Sequence, residues 1–229
     1  MNRAVSIVFA VIGVALLLTP LAAYAHDVAE GDKAFVQSID GPAIIPFMYL
    51  GAKHMVTGYD HIAFLVGVVF FLSRMKDVVI YASMFAIGHS ITLISGVLLG
   101  TGANAYIIDA IIGVSVIYKG VENIGGFEKI GWKFDTRLAV LVFGLFHGLG
   151  LATKVMDLEV SSNGLLANLI AFNVGVELGQ VIVLALVVSL FAVWRKRPSF
   201  TRYAFAANVA LILVGLALTA YQVQGYLSS

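Results

Sequence analysis

The sequence predicts an all-α protein of the membrane: a polytopic bundle of about six transmembrane helices that follows a cleaved signal peptide. Hydrophobic residues make up 60% of the chain and charged residues 12%, and the mean hydropathy is +0.97. Soluble domains of this length do not have such a composition. The apolar residues fall into segments near the ~20 residues that a bilayer requires. Lys and Arg concentrate in alternate linkers, which is the pattern that orients membrane helices.

The N-terminal residues 1–25 have the features of a secretory signal peptide. Arg3 precedes a short apolar run, and the segment ends in the small-residue motif A-Y-A. The alternative is an uncleaved first helix. Cleavage after Ala25 makes His26 the mature N-terminus, where the free amine and the imidazole together can chelate copper or nickel. Residues 26–57 are then a short periplasmic segment. We expect its apolar part, residues 43–56, to form a re-entrant or interfacial helix.

The membrane domain is expected over residues 58–229. Its predicted spans are residues 58–73, 78–99, 104–125, 137–155, 165–194 and 201–225. The linkers after the first, third and fifth spans are rich in Lys and Arg, whereas residues 100–103 and 156–164 contain none. The positive-inside rule therefore predicts a multi-pass protein of the bacterial inner membrane, with the mature N-terminus and the C-terminus in the periplasm.

Small residues recur at a spacing of four and predict close approach between helices. The pairs are Gly96 and Gly100, Gly144 and Gly148, and Gly175 and Gly179. Two short segments also resemble each other, FAIGHS at 85–90 and FGLFHG at 143–148, each with Phe four residues before His. This likeness is too short to establish an internal repeat.

Composition also limits the partners and cofactors. The chain has no cysteine, so disulfides, iron–sulfur clusters and thiolate metal sites are excluded. The net charge of +1 gives no indication of nucleic-acid binding. The expected partners are the lipid bilayer and a metal ion. A membrane-protein partner or a homo-oligomer remains open.

The densest set of metal-ligating side chains is His54, Asp60 and His61, at the start of an apolar run. Ionisable groups at the edge of the hydrocarbon region are costly, which favours a functional explanation. Gly51 and Gly58 bracket His54 and allow a bend there. The alternative is that Asp60 caps a helix and that the histidines lie among lipid headgroups.

Further polar side chains fall at similar depths on the predicted spans, ~15–26 Å from the cytoplasmic edge. They are His61, His89, Asp109, His147 and Glu177. An unpaired carboxylate in the membrane costs ~2.5–3.5 kcal/mol, and Asp60, Asp109 and Glu177 have no basic residue at a similar predicted depth. A bound divalent cation would compensate all three. Hydrogen-bonded core histidines and protonated acids are the alternative. Lys119 and Glu122 are expected to form a local pair.

The donor types indicate the metal. Imidazole and carboxylate ligands without thiolate suit Ni²⁺, Co²⁺ or Zn²⁺. Copper remains open because Met48, Met55 and Met84 lie on the same part of the chain. Methionine in a membrane helix is, however, usually a packing residue.

The motifs H-x5-DH (His54, Asp60 and His61), FxxxHS (His89), FGLxHG (His147) and FNVGVELGQ (172–180) together resemble the HupE/UreJ family. Its members are polytopic bacterial proteins associated with hydrogenase and urease gene clusters and are regarded as nickel or cobalt permeases. The resemblance covers about residues 51–180 and implies that His54, Asp60 and His61 carry the functional signature. The hydrogenase-linked members have two histidines and an acidic residue in a second motif. Here residues 143–150 contain only His147, which indicates a divergent branch.

These observations leave three functions open. The first is a secondary metal permease with His54 and His26 as an outer capture site and an intramembrane site formed by Asp60, His61, His89, His147 and Glu177. The second is an intramembrane zinc hydrolase that uses the same histidines with Asp60 and Ser90. The third is a metal-delivery or assembly subunit of a membrane complex. The sequence favours a non-enzymatic role.

Overall fold

The computed structural model describes residues 30–132, 135–157 and 161–229, and every regular element in these ranges is a helix. The signal peptide and His26 lie outside the described residues. In chain order the helices are α1 (Glu30–Gln37), α2 (Ile44–Thr57), α3 (Tyr59–Val69), α4 (Met75–Leu99), α5 (Ala105–Asn123), α6 (Gly126–Lys129), α7 (Thr136–Met156), α8 (Leu165–Trp194) and α9 (Pro198–Ser228).

Four of the described helices, α4, α7, α8 and α9, are long and apolar enough to cross a membrane. The prediction of an all-helical membrane protein is confirmed, but the count of clear spans is four rather than six. The helix α3 is apolar but has only 11 residues. The helix α5 has 19 residues and carries Asp109, Lys119 and Glu122, which lower its apolar character.

The helices α2 and α3 together follow the whole length of α8. Near the start of α8, the side chain of Asn168 accepts a hydrogen bond from the Ala43 amide at 2.7 Å and donates one to the Gly41 carbonyl at 3.1 Å. Just beyond its end, Arg195 donates to the carbonyls of Val69 and Phe70 at 2.6 and 2.8 Å. The segment 43–56, expected to be re-entrant or interfacial, therefore lies along the first half of α8.

The break between α2 and α3 is at Gly58. Its backbone is extended (φ −74°, ψ 95°), so α2 ends and α3 begins in a new direction. A Cβ at this position would lie 2.9 Å from Nδ1 of His61, which explains why the smallest residue occupies the break. Gly51, expected to allow a bend, instead lies within α2. A Cβ there would be 2.0 Å from the Phe172 carbonyl oxygen.

Glycines bring three pairs of helices into backbone contact. A Cβ at Gly148 of α7 would lie 2.1 Å from the His89 carbonyl oxygen of α4, and one at Gly175 of α8 would lie 2.0 Å from the Met48 carbonyl oxygen of α2. The third pair is α5 and α9, where Gly113 meets Gly215. The predicted close approach at the 144/148 and 175/179 pairs is confirmed.

The two glycines of the remaining predicted pair, Gly96 and Gly100, have different roles in the structure. Gly96 packs against Ala152, as expected for a contact between α4 and α7. A Cβ at Gly100 would have no atom of the described residues within 4 Å. Gly100 ends α4 with φ +64°, a left-handed conformation that glycine adopts without strain. Its predicted packing role was therefore wrong, since sequence spacing alone does not separate a helix end from a helix contact.

Candidate metal centre

The helix break places three of the predicted ligands close together. His54 lies in the last turn of α2, and Asp60 and His61 lie in the first turn of α3. The ring centroids of His54 and His61 are 5.0 Å apart. Asp60 and His61 are 1% and 2% exposed, so both side chains are buried within the bundle. His54 and His61 line the same small cavity.

Two further histidines lie close to His61: His89 on α4 and His147 on α7. The ring centroid of His61 lies 4.9 Å from that of His147 and 6.4 Å from that of His89. His89 and His147 are both buried. Their proximity depends on Gly88, Gly144 and Gly148, where the two backbones touch. The short likeness between FAIGHS and FGLFHG thus corresponds to two helices packed side by side.

Two hydrogen bonds orient the imidazoles. Nδ1–H of His147 donates to the Phe143 carbonyl at 2.7 Å, and a carbonyl can only accept, so the proton lies on Nδ1. Nδ1–H of His61 donates to Asp60 Oδ1 at 2.9 Å. Each bond leaves Nε2 as the nitrogen with the lone pair. A metal-binding histidine characteristically donates its other ring nitrogen to a carbonyl or a carboxylate in this way.

Asp60, His61 and His147 each offer one donor atom, and these atoms lie within 4.8 Å of one another. Nε2 of His147 has no hydrogen-bond partner in the described part of the chain. A buried ring nitrogen without a partner is unusual in a folded protein and calls for an explanation such as an ion. The donor types suit a divalent transition metal, and the three atoms are close enough together to be candidate ligands of one ion.

Aromatic rings form one wall of the site. Phe85 stacks on His89 at a centroid distance of 6.1 Å, and it meets the His147 ring edge-on at 4.9 Å. Phe64 packs against His147 at 5.6 Å. Asn173 lies beside His89, although within the described ranges neither ring nitrogen of His89 makes a hydrogen bond of normal geometry. This wall restricts His89 and His147 to few rotamers.

Asp109 does not carry the uncompensated charge that the sequence predicted. Lys154 donates to its two carboxylate oxygens at 2.9 and 3.3 Å. The expectation that no basic residue lies at the depth of Asp109 was wrong, because Lys154 is in the last turn of α7 and helical side chains lean back toward the N-terminus. Both residues line the same cavity as His54, His61 and His147.

Another predicted ligand lies apart from this cluster. Glu177 is on an exposed face of α8, where it lines an open apolar cleft between α4 and α8. It shares a helix with the buried Asn173 but not the same environment. His26 lies outside the described residues. Lys119 and Glu122 form the expected local pair, with Nζ and Oε2 2.5 Å apart.

Sequence reasoning missed the role of Lys154. The signal that would have revealed the pair is its spacing from His147, seven residues or about two helical turns on the same face. Sequence alone, however, does not place α5 beside that face.

Fold and site define a class: a multi-pass helical membrane protein with a buried cluster of histidines and an aspartate at a helix break. The sequence model of one family, described as HupE / UreJ protein, matches residues 30–229. The chain belongs to the HupE/UreJ family. No curated protein and no solved structure gives a significant match.

Proposed function

We propose that this protein is a secondary permease for a divalent transition metal, with Ni²⁺ or Co²⁺ as the first candidates and Zn²⁺ as the next. The observation that carries the proposal is the buried donor set of Asp60, His61 and His147, whose donor atoms lie within 4.8 Å of one another. Membership of the HupE/UreJ family supports a role in metal handling. The metal is here the cargo, not a resident cofactor.

The break between α2 and α3 suits a transport site. Irregular backbone at membrane depth is tolerated where it lines a cavity, and transporters commonly place their sites at broken helices. His54 precedes the break and His61 follows it. A small movement about Gly58 would therefore change the distance between these two ligands.

Transport also requires that the ion leaves. A site with several neighbouring ligands lets an ion move in steps without being trapped in one deep minimum. His54 on one side of His61, at 5.0 Å, and His89 on another, at 6.4 Å, provide such neighbours. Asp60 supplies negative charge next to the imidazoles, which partly balances the divalent ion.

A zinc hydrolase would activate a water on the metal, and the hydrolase alternative placed Ser90 with the histidines and Asp60 around that water. Ser90 is only half-buried and is not among the residues that line the cavity with His54, His61 and His147. This position favours transport or delivery over hydrolysis.

Calorimetric titration with Ni²⁺ in detergent tests the metal site. Wild-type protein is expected to bind, and His61→Ala and His147→Ala are each expected to abolish tight binding. The double variant should lose little more, because both histidines serve one ion. Binding should weaken in acid, because protons compete with the metal for the imidazole ligands. Glu177→Gln, a change on the exposed face of α8, is the matched control and should bind normally. Wild-type affinity in His147→Ala would refute the site.

Transport is tested separately, in liposomes that enclose a metal-sensitive dye. We expect Ni²⁺ entry with wild-type protein and none above the level of empty liposomes with His147→Ala. Normal binding without entry would assign the protein to metal delivery instead of transport.

A further inference from the structure

The ion pair between Asp109 and Lys154 joins α5 to α7 on one side of the histidine cluster. Lys154 Nζ and Asp109 Oδ2 are 2.9 Å apart, and the two side chains are 16% and 7% exposed. Lys154 follows His147 by about two helical turns, ~10 Å along α7. At the same end of the bundle, the Ala103 amide donates to Thr153 Oγ1 at 3.1 Å, which fixes the segment after α4 against α7.

This pair shares a cavity with the histidines. The residues that line it are His54, His61, Asp109, Ile112, His147, Gly150, Leu151 and Lys154. The cavity therefore extends from the imidazoles to the ion pair. An ion that approaches the histidines from this end meets Lys154 and Asp109 first.

Stability alone is a weak reason for such a pair. Removing two charges from water costs about as much as their attraction returns, and apolar replacements are often equally stable. The ammonium group of Lys154 does, however, perform electrostatically what a divalent cation would do at Asp109: it neutralises a largely buried carboxylate. The two cations are therefore competitors for one anion.

We propose that the Asp109–Lys154 pair is the gate of the histidine cavity at this end of the bundle. A divalent cation displaces the Lys154 ammonium group from the Asp109 carboxylate, which becomes its first ligand on the way to His54 and His147. When the ion has passed, Lys154 returns and closes the cavity. This inference rests on the proposed function for the identity of the ion, but the closure itself can be tested without metal.

The natural chain contains no cysteine, so a single introduced thiol reports on the cavity without background. Leu151→Cys places this thiol on the cavity wall, and Ile112→Cys is the second reporter if the first does not fold. The probe is a water-soluble thiol reagent, added with a chelator to the purified protein in detergent. Labelling should be slow with the pair intact. In Lys154→Ala and in Asp109→Asn it should be faster, on the order of tenfold if the pair has a coupling energy of ordinary size.

The matched control breaks a second ion pair of α5. Lys119→Met removes the partner of Glu122 near the opposite end of this helix and should leave the labelling of Leu151→Cys unchanged. The neutral double variant Asp109→Asn/Lys154→Ala leaves no unpaired charge. It should label as fast as the single variants, because all three break the same pair.

A second measurement, in protein without the reporter cysteine, follows the rate of Ni²⁺ association by stopped flow. Lys154→Ala should bind Ni²⁺ faster than wild type. Asp109→Asn should not, because it opens the cavity but removes the entry ligand.

Equal labelling rates with and without the pair would overturn the gate. Faster labelling with unchanged Ni²⁺ association in Lys154→Ala would overturn the competition. If wild type binds no metal at all, the proposed cargo fails, while the labelling still decides whether the pair closes the cavity.

Discussion

At the scale of single residues, the site depends on groups that need not touch the ion. Asp60 accepts a hydrogen bond from Nδ1–H of His61, and the Phe143 carbonyl accepts one from Nδ1–H of His147. Both bonds hold the ring in the orientation that presents Nε2. Asp60 is therefore expected to orient His61 and to place a negative charge beside the site.

The substitution Asp60→Asn separates these roles from folding. An asparagine oxygen still accepts the hydrogen bond from His61, but the negative charge is lost. We expect Ni²⁺ affinity to fall by ~10–100-fold, the usual cost of losing such an outer partner. Calorimetry measures the affinity, and thermal unfolding checks that the fold is kept. An unchanged affinity would show that the charge of Asp60 contributes nothing.

At the scale of helices, the site exists because backbones touch. The backbone contact between α4 and α7 brings His89 and His147 together. The contact between α2 and α8 holds α2, the first part of the helix that breaks at Gly58, in place. In both helix contacts a glycine lies where any Cβ would overlap a carbonyl oxygen of the neighbouring helix. The geometry of the ligands is thus set by residues that have no side chain.

The substitution Gly148→Ala should push α4 away from α7, because the new Cβ would lie 2.1 Å from the His89 carbonyl oxygen. Such overpacking typically costs ~1–3 kcal/mol. We expect a lower unfolding temperature together with weaker Ni²⁺ binding. Ala220→Leu, on an exposed position of α9, adds more volume and is the control that should change neither quantity. Normal metal binding in Gly148→Ala would show that the site tolerates a larger distance between α4 and α7.

At the scale of the whole molecule, the directions of the helices agree with alternate crossings. Gly88 faces Gly144 and Gly96 faces Ala152, so α4 and α7 run in the same direction. Both follow linkers that contain Lys or Arg. By contrast, Gly113 faces Gly215 and Gly120 approaches Asn208, so α5 and α9 are antiparallel. Four helices, α4, α7, α8 and α9, qualify as membrane spans by length and composition. With α5, and with α2 and α3 counted together as one broken span, the described helices make six crossings.

Reporter fusions test this topology. Fusions after Gly102 and Ser161 should report a periplasmic location, and fusions after Lys76 and Arg197 a cytoplasmic one, because the positive-inside rule keeps the basic linkers in the cytoplasm. The two sets are controls for each other in expression level. A cytoplasmic signal after Ser161 would refute the six-crossing topology.

The sequence by itself determined the helical membrane class, the family and the H-x5-DH motif, because hydropathy and local spacing are properties of consecutive residues. It also predicted the local Lys119–Glu122 pair, whose members are three residues apart. Only the tertiary structure decided that Asp109 pairs with Lys154, that Glu177 faces outward, and that His89 and His147 meet His61. These facts depend on how each helix is rotated about its axis and which helix lies beside it. Glycine contacts between distant segments set both, and no local pattern records which segments will meet.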